Sequence, residues 1–379
     1  MADRAYRFGD WSQVRDFCQS GRPEGERPFY SGAHVGDRMH EVRRAINEIR
    51  VGWDRYDDFR DGLRAQLPAD VAVDDPEERR IHDLGMAALF SRTLEWADRR
   101  EPGDHDDGAL IRYYTSEIGY RQIFGAINRA FRSDGLTADP AALRDAAFLI
   151  ELLSIDLFNY RDAADGADDF HGTVYRGMCL PAESFERLRR VAASPVRDRY
   201  LSVPLAMVST SLEPERAAEF ASREAERRPG AHPVLWRIEV AGLPAELLEI
   251  YRAAFPAGVV TSLCAVPIEG LSYFSHEREV LLRGPFFQIL AVDEEPVPGS
   301  LEPLSVVDAL MLNSNRDHVT TVASNEGDDL RARDLFRRLV TLHRSDLCAE
   351  RAAARGSAED AAAYRAIAGE NLRGLPSTR

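Results

Sequence analysis

The chain has 379 residues, 44% hydrophobic and 29% charged, with a net charge of −15. This is a globular composition with material for a substantial core and length for two or three structural units. The acidic balance argues against non-specific binding to nucleic acid or an anionic membrane, and no apolar run approaches the ~20 residues of a transmembrane helix.

The opening residues, Met1-Ala2-Asp3-Arg4-Ala5-Tyr6, lack the apolar centre of a signal peptide. The chain is therefore expected in the cytoplasm, or delivered as an effector by an export system that reads no such peptide. Cys18, Cys179, Cys264 and Cys348 lie far apart and fit no zinc spacing. They read as small buried hydrophobes in a reducing compartment, and no metal is expected. All 48 residues in the Lys+Arg total are arginine. A GC-rich genome is the plainer explanation; selection against lysine, the acceptor of ubiquitin-type tags, is the sharper one.

Residues 1–90 read as a mostly helical region of unassigned role. Met39, Val42, Ala45, Ile46 and Ile49 mark one helix face. The acidic stretch Asp74–Glu78, with Pro76 inside it, reads as a break. A helix from about Ala87 leads to the loop Glu101–Gly108. Helical segments follow at Leu110–Thr115 and Tyr120–Arg132, the second with Ile123, Ile127 and Ala130 on one face with Tyr120. Asp139-Pro140 reads as the N-cap and first residue of a helix reaching Tyr160. That helix is apolar almost all round, as a core element would be.

Periodicity then changes. His171–Leu180, Val203–Thr210, Pro233–Val240, Val259–Ile268 and Glu279–Val292 are β-rich runs bounded by Gly, Pro and acidic residues. A helix from Glu213 to Arg227 separates the second and third. Helices first and strands later predict an α+β fold. No GxGxxG is present, so a Rossmann cofactor site is not expected. Glu294–Pro303 reads as a linker, followed by helices at Arg331–Ala354 and Ala358–Leu372 that pack on the core as an extension.

Three short segments carry the chemistry: Val174-Tyr175-Arg176-Gly177, Ser209-Thr210-Ser211 and Glu277-Arg278-Glu279. An arginine offers planar, permanently charged, bidentate bonding to phosphate, and Gly177 beside it would let a ligand approach the backbone. Ser209 and Ser211 share a face if extended. Their hydroxyls can orient a carboxylate, and Ser211 equally suits a turn into the next helix. Glu277 and Glu279 would also share a face, one stabilising a cationic ribose while the other serves an incoming acceptor. Breaking a nicotinamide N-glycosidic bond needs the pyrophosphate held, the nicotinamide oriented and negative charge near the developing oxocarbenium ion. Each segment alone reads as a surface ion pair, a turn or a charged loop; the ordered set points to a dinucleotide.

Tyr175-Arg176-Gly177, Ser209-Thr210-Ser211 and Glu277-Arg278-Glu279-Val280-Leu281 resemble the Arg-Ser-Glu class of mono-ADP-ribosyltransferases. That class includes the vertebrate arginine-specific ecto-enzymes and cholera-type and other bacterial toxins. The block from Tyr113-Tyr114-Thr115 to Arg132 is similar to the helical part before the Tyr-Arg-Gly strand in the eukaryotic-type enzymes. The resemblance covers residues 90–292. It implies a catalytic domain at 91–292 on a split mixed β-sheet, between a helical region at 1–90 and a linker with helical extension at 293–379.

It further implies NAD as co-substrate, no metal, and a protein with an accessible arginine as partner. Arg176 would bind the NAD phosphates and Gly177 the nicotinamide amide, with Ser209-Thr210-Ser211 lining the site. Ser209 would position the catalytic Glu279, which bonds the nicotinamide-ribose 2′-hydroxyl. Glu277 would orient the acceptor, Leu271–His276 would form the turn before it, with Tyr273 or Phe274 facing the target, and Phe220 would stack near the nicotinamide. The ecto-enzymes' Pro-Pro is replaced here by Arg283-Gly284-Pro285, and their disulfide pattern is missing. Three alternatives stay open: an NAD glycohydrolase at the same site, a silent interaction module, and a Ser/His/Glu hydrolase using His276. The last lacks a GxSxG elbow.

Overall fold

A computed structural model of the protein describes residues 55–67, 73–91, 108–124, 127, 140–157, 170–202, 207–255, 258–260, 264–283, 286–298, 300, 302–313, 319–321 and 326–375. The helix expected over Met39–Ile49, most of the Glu101–Gly108 loop, and Cys18 lie outside them. The fold is α+β: helices come first, a mixed sheet follows, and helices close the chain. The strands in chain order are β1 (Gly172–Pro181), β2 (Tyr200–Ser202), β3 (Met207–Ser211), β4 (Ala231–Ala241), β5 (Gly258–Val260), β6 (Ala265–Pro267), β7 (Glu279–Arg283), β8 (Phe286–Glu295), β9 (Leu304–Leu312) and β10 (Val319–Thr321). No helix among the described residues is long and apolar enough to cross a membrane.

The chain divides into two compact units. One is Met1–Asp168 with Pro204–Val208 and Val266–Arg283; the other is Asp169–Val203, Ser209–Ala265 and Gly284–Arg379.

In the first unit the acidic stretch around Pro76 starts a helix instead of breaking one. Pro76 is the first residue of Pro76–Ser91, where a missing N–H costs nothing. The Asp75 carboxylate caps it, accepting the N–H of Glu77 at 2.7 Å and of Glu78 at 3.2 Å. This helix packs on Ala109–Thr115, and Gly85 permits the approach: a Cβ there would lie 2.3 Å from that of Tyr113. Leu110, Tyr113, Tyr114, Ile123 and Ile127 are buried with Phe148. The helix Pro140–Leu157 buries Ala146 through Ile150 as well as Leu152 and Leu153, the all-round apolar surface of a core helix. The segment expected to be helical from Tyr120 opens as a π-helical turn, Tyr120–Phe124. Its Tyr120 stays exposed and stacks on Phe124 at 4.6 Å.

In the second unit the strand order is β2-β8-β9-β4-β1-β3. β4 and β9 run parallel; β1 is antiparallel to β4 and to β3, as β8 is to β2 and β9. The run expected as one strand over Glu279–Val292 is two, β7 and β8. Helices Ala182–Ala192 and Ala245–Ala254 were not expected from the sequence. The sheet also continues past the boundary expected at 293. β9 lies between β8 and β4 and is buried along its length except at Ser305, as suits a strand covered on both faces.

The C-terminal helices Glu326–Ala354 and Ala358–Arg373 share one core cluster with β9 and the Ala245–Ala254 helix. Tyr251, Leu310, Leu312, Phe336, Leu339 and Tyr364 meet there. Arg199 forks onto Asp360 at 2.7 and 3.0 Å. The Gln288 amide donates to the carbonyls of Val196 and Arg199 at 3.0 and 2.8 Å. The tail thus belongs to the core of this unit. Cys179, Cys264 and Cys348 are free and buried, and burial pushes the Cys348 thiol up to about 12.

Candidate active site

Two of the three motif segments meet in the second unit. β1 and β3 pair antiparallel with Tyr175 opposite Ser211. Arg176 is half-buried, and its Nη1 donates to the Ser209 carbonyl at 2.6 Å. The guanidinium is therefore set by the backbone of the serine strand. Ser209 is half-buried between the buried Val208 and Thr210. Ser211 Oγ accepts the Glu213 N–H at 3.0 Å, which is the turn role, leading into the helix Pro214–Arg227.

At Gly177 a helix passes close over the strand. A Cβ there would lie 1.7 Å from the Ala217 carbonyl oxygen and 2.9 Å from Ala221 N. The helix Pro214–Arg227 runs over the strand at this point, burying Ala217, Ala218 and Ala221. The missing side chain makes room for the helix backbone. Cys179 donates to the Ala221 carbonyl at 3.2 Å on the same helix, which also presents Phe220, 47% exposed.

The paired glutamates belong to the first unit. They do not share a strand face. Ser275–Glu277 is a 3₁₀ turn, Arg278 takes the left-handed conformation at φ 47°, and β7 starts at Glu279. A left-handed residue breaks the two-residue alternation, so i, i+2 does not set a common direction here. Non-glycine residues take this conformation at a cost of roughly 1–2 kcal/mol. The two carboxylates differ in exposure: Glu279 is 8% exposed, Glu277 half-buried.

The loop from Ile268 to Arg278 folds back on β7. Ile268 N donates to the Glu279 carbonyl at 2.9 Å, and Ser272 N to the Ile268 carbonyl at 2.7 Å. Ser272 is 1% exposed. Its hydroxyl donates to Glu279 Oε2 at 3.2 Å and accepts the Phe274 N–H at 3.2 Å. Ser272 is thus a partner of Glu279 that the sequence reading missed; nothing local marks a serine in a Gly-Leu-Ser-Tyr turn as a carboxylate partner. Tyr273 and Phe274 meet edge to face at 4.7 Å, and exposed His276 lies edge-on to Phe274 at 6.0 Å. Burial, followed by the charge and hydrogen bond of Glu78, pushes the Tyr273 phenol above its ordinary range.

One acidic group among the described residues has metal-ligand spacing. Asp293, Glu295 and Asp308 bring carboxylate oxygens within 4.8 Å of one another. Guanidinium groups already occupy it. Arg237 bonds Asp308 at 2.5 and 2.9 Å and Glu295 at 2.9 and 3.0 Å. Arg355 bonds Asp293 and Asp308. Two arginines thus stand against three carboxylates, and Arg237 is held above its ordinary range by Asp308, then Glu295.

No protein-family model matches the sequence, and no curated protein matches it. Among solved structures, the chain is similar to the ADP-ribosyltransferase HopU1 of Pseudomonas syringae pv. Tomato at 19% identity and TM-score 0.36, over 68% of this chain and 97% of that one. It is similar to the type III effector XopAI of Xanthomonas axonopodis pv. citri at 13% identity and TM-score 0.39, over 73% and 98%. For the Vis toxin, an ADP-ribosyltransferase from Vibrio splendidus, the figures are 16% and 0.33, over 64% and 88%. At these scores and identities the likeness gives this chain no family, substrate or partner.

Proposed function

We propose that the protein is a mono-ADP-ribosyltransferase that moves ADP-ribose from NAD to a protein arginine. The observation that carries this reading is the contrast between its two glutamates. Glu279 is buried with its carboxylate bonded by Ser272. Glu277 sits two residues earlier in a more open turn. A buried, oriented carboxylate suits a charge developing inside a site; a more open one suits a group arriving from outside.

In this mechanism Arg176 holds the pyrophosphate and Glu279 bonds the 2′-hydroxyl of the nicotinamide ribose. The C1′–N1 glycosidic bond breaks, its electron pair leaves with neutral nicotinamide, and the Glu279 carboxylate stabilises the oxocarbenium ion. A guanidine nitrogen of the acceptor forms the new bond to C1′ and gives a proton to Glu277. The products are ADP-ribosyl-arginine, nicotinamide and one proton. NAD is the co-substrate, and no step calls for a metal.

The test is a Glu277→Gln variant assayed twice, for nicotinamide release with NAD alone and for transfer to agmatine. The expected result is transfer reduced roughly 10²-fold, as for loss of a general base, with nicotinamide release retained. Equal loss of both activities would contradict the role given to Glu277.

A further inference from the structure

The turn before Glu277 is fastened to the helices of its own unit by two residues whose roles the transferase reading leaves empty. Glu78 lies in the first turn of Pro76–Ser91 and is 7% exposed. A carboxylate buried this far is costly unless its oxygens are bonded. Its Oε1 accepts the N–H of Glu117 and its Oε2 that of Ile118, both at 3.3 Å. These are the first two residues of the short helix Glu117–Gly119, whose own cap is Ser116, accepting Gly119 N at 3.1 Å. Glu78 thereby fixes the backbone that directly follows Thr115 and Ser116.

Thr115 holds the turn itself. Its Oγ1 accepts the Tyr273 N–H at 2.9 Å and donates to the Ile111 carbonyl at 3.0 Å. Leu271 completes the fastening: a Cβ on Gly108, which has φ 71°, would lie 2.8 Å from its Cδ2. Tyr273 is therefore pinned through its backbone N–H, four positions before Glu277. Between them the chain is closed by short-range bonds, Glu277 N to the Phe274 carbonyl at 2.9 Å and Phe274 N to Ser272 Oγ at 3.2 Å. A displacement of Tyr273 has little slack in which to be absorbed before it reaches Glu277.

We infer that Thr115 and, behind it, Glu78 are positioning residues for the acceptor: Thr115 fixes Tyr273 and Glu78 fixes the backbone that follows Thr115, so together they set the turn that carries Glu277, govern arginine transfer and leave cleavage of NAD largely untouched. This rests on the transferase reading. Glu279 has an anchorage of its own outside the turn, as the first residue of β7 and through the bond from Ile268 N to its carbonyl, and that anchorage is why the two activities should come apart.

The experiment compares full-length wild type, Thr115→Val, Thr115→Ser and Glu78→Gln. Thr115→Val keeps the shape and removes the acceptor for Tyr273 N; Thr115→Ser restores it. The readouts are agmatine KM and kcat, nicotinamide release without acceptor, and backbone hydrogen exchange over 271–278. The expected result for Thr115→Val and Glu78→Gln is faster exchange in the turn and a transfer efficiency lowered roughly ten- to a hundredfold, the scale of a misplaced reacting group. The loss should lie mainly in agmatine KM, nicotinamide release should change less than about twofold, and Thr115→Ser should recover most of the transfer. Unchanged exchange in the turn would overturn the fastening itself, whatever the activities. Faster exchange with both activities falling together would overturn its selectivity for the acceptor. A wild type that releases no nicotinamide would sink the transferase reading and the acceptor role with it, while the exchange data would still report whether Thr115 and Glu78 hold the turn.

Discussion

The arginine and glutamate segments are built by different means. Arg176 sits inside a ten-residue strand paired along its whole length with β4, and its guanidinium is fixed by a backbone carbonyl of the next strand. Beside it, Gly177 is locked under a helix. The glutamates instead sit at the end of a loop whose geometry depends on individual side chains: Ser272 on Glu279, Thr115 on Tyr273, Glu78 on the backbone after Thr115, and a left-handed Arg278. Backbone ladders spread a perturbation over many bonds, whereas a loop held by a few side chains concentrates it in each one. The first kind of site fails by unfolding and the second by losing alignment, so stability and activity measurements should separate them.

Three changes to the chain probe that contrast. The largest effect belongs to truncation after Glu295. It removes β9 from the middle of the sheet and Phe336, Leu339 and Tyr364 from the core. Loss of cooperative unfolding in the second unit is expected by circular dichroism. A truncated chain that stays folded with unchanged turnover would show that the tail is the dispensable extension its sequence resembles. Next comes Gly177→Ala, which drives a methyl into the Ala217 carbonyl. A cost of about 3 kcal/mol, the upper end for overpacking, should lower the melting temperature by several degrees; an unaltered melting temperature would mean the helix has room to move. The smallest is Ser272→Ala. Losing a hydrogen bond to a carboxylate is worth about 1.5 kcal/mol at the low end, or roughly tenfold in rate. Nicotinamide release should fall by that factor with the melting temperature nearly unchanged, and a large stability loss without a rate effect would make Ser272 a purely structural residue.

Much of this was legible in the chain. The strands of Arg176 and Ser209 stood out because Gly, Pro and acidic clusters punctuate them, and Glu213-Pro214 announced the next helix. β9 was lost because Glu294–Pro303 has the look of a linker and Asp308 interrupts the apolar run; Asp308 is acceptable there only because Arg237 and Arg355 neutralise it. The glutamate pair misled in a similar way. Spacing alone gives a shared face, and only the φ of Arg278 shows that the strand has not yet begun. The contacts of Glu78 and Thr115 were out of reach, since they span 39 and 40 positions to Glu117 and Ile118 and 158 to Tyr273. At Gly177 the sequence suggests room for a ligand, and the structure adds a helix backbone that needs the same missing side chain.

The most direct measurement is incubation of the purified protein with labelled NAD and agmatine beside a Glu279→Gln variant. The account predicts hydroxylamine-sensitive label on agmatine from the wild type, and a loss of roughly 10²–10³-fold in the variant, the scale for removing a group that stabilises the charged transition state. Label transfer that survives Glu279→Gln, or no NAD consumption by a folded wild type that NAD also fails to stabilise against heat, would contradict it.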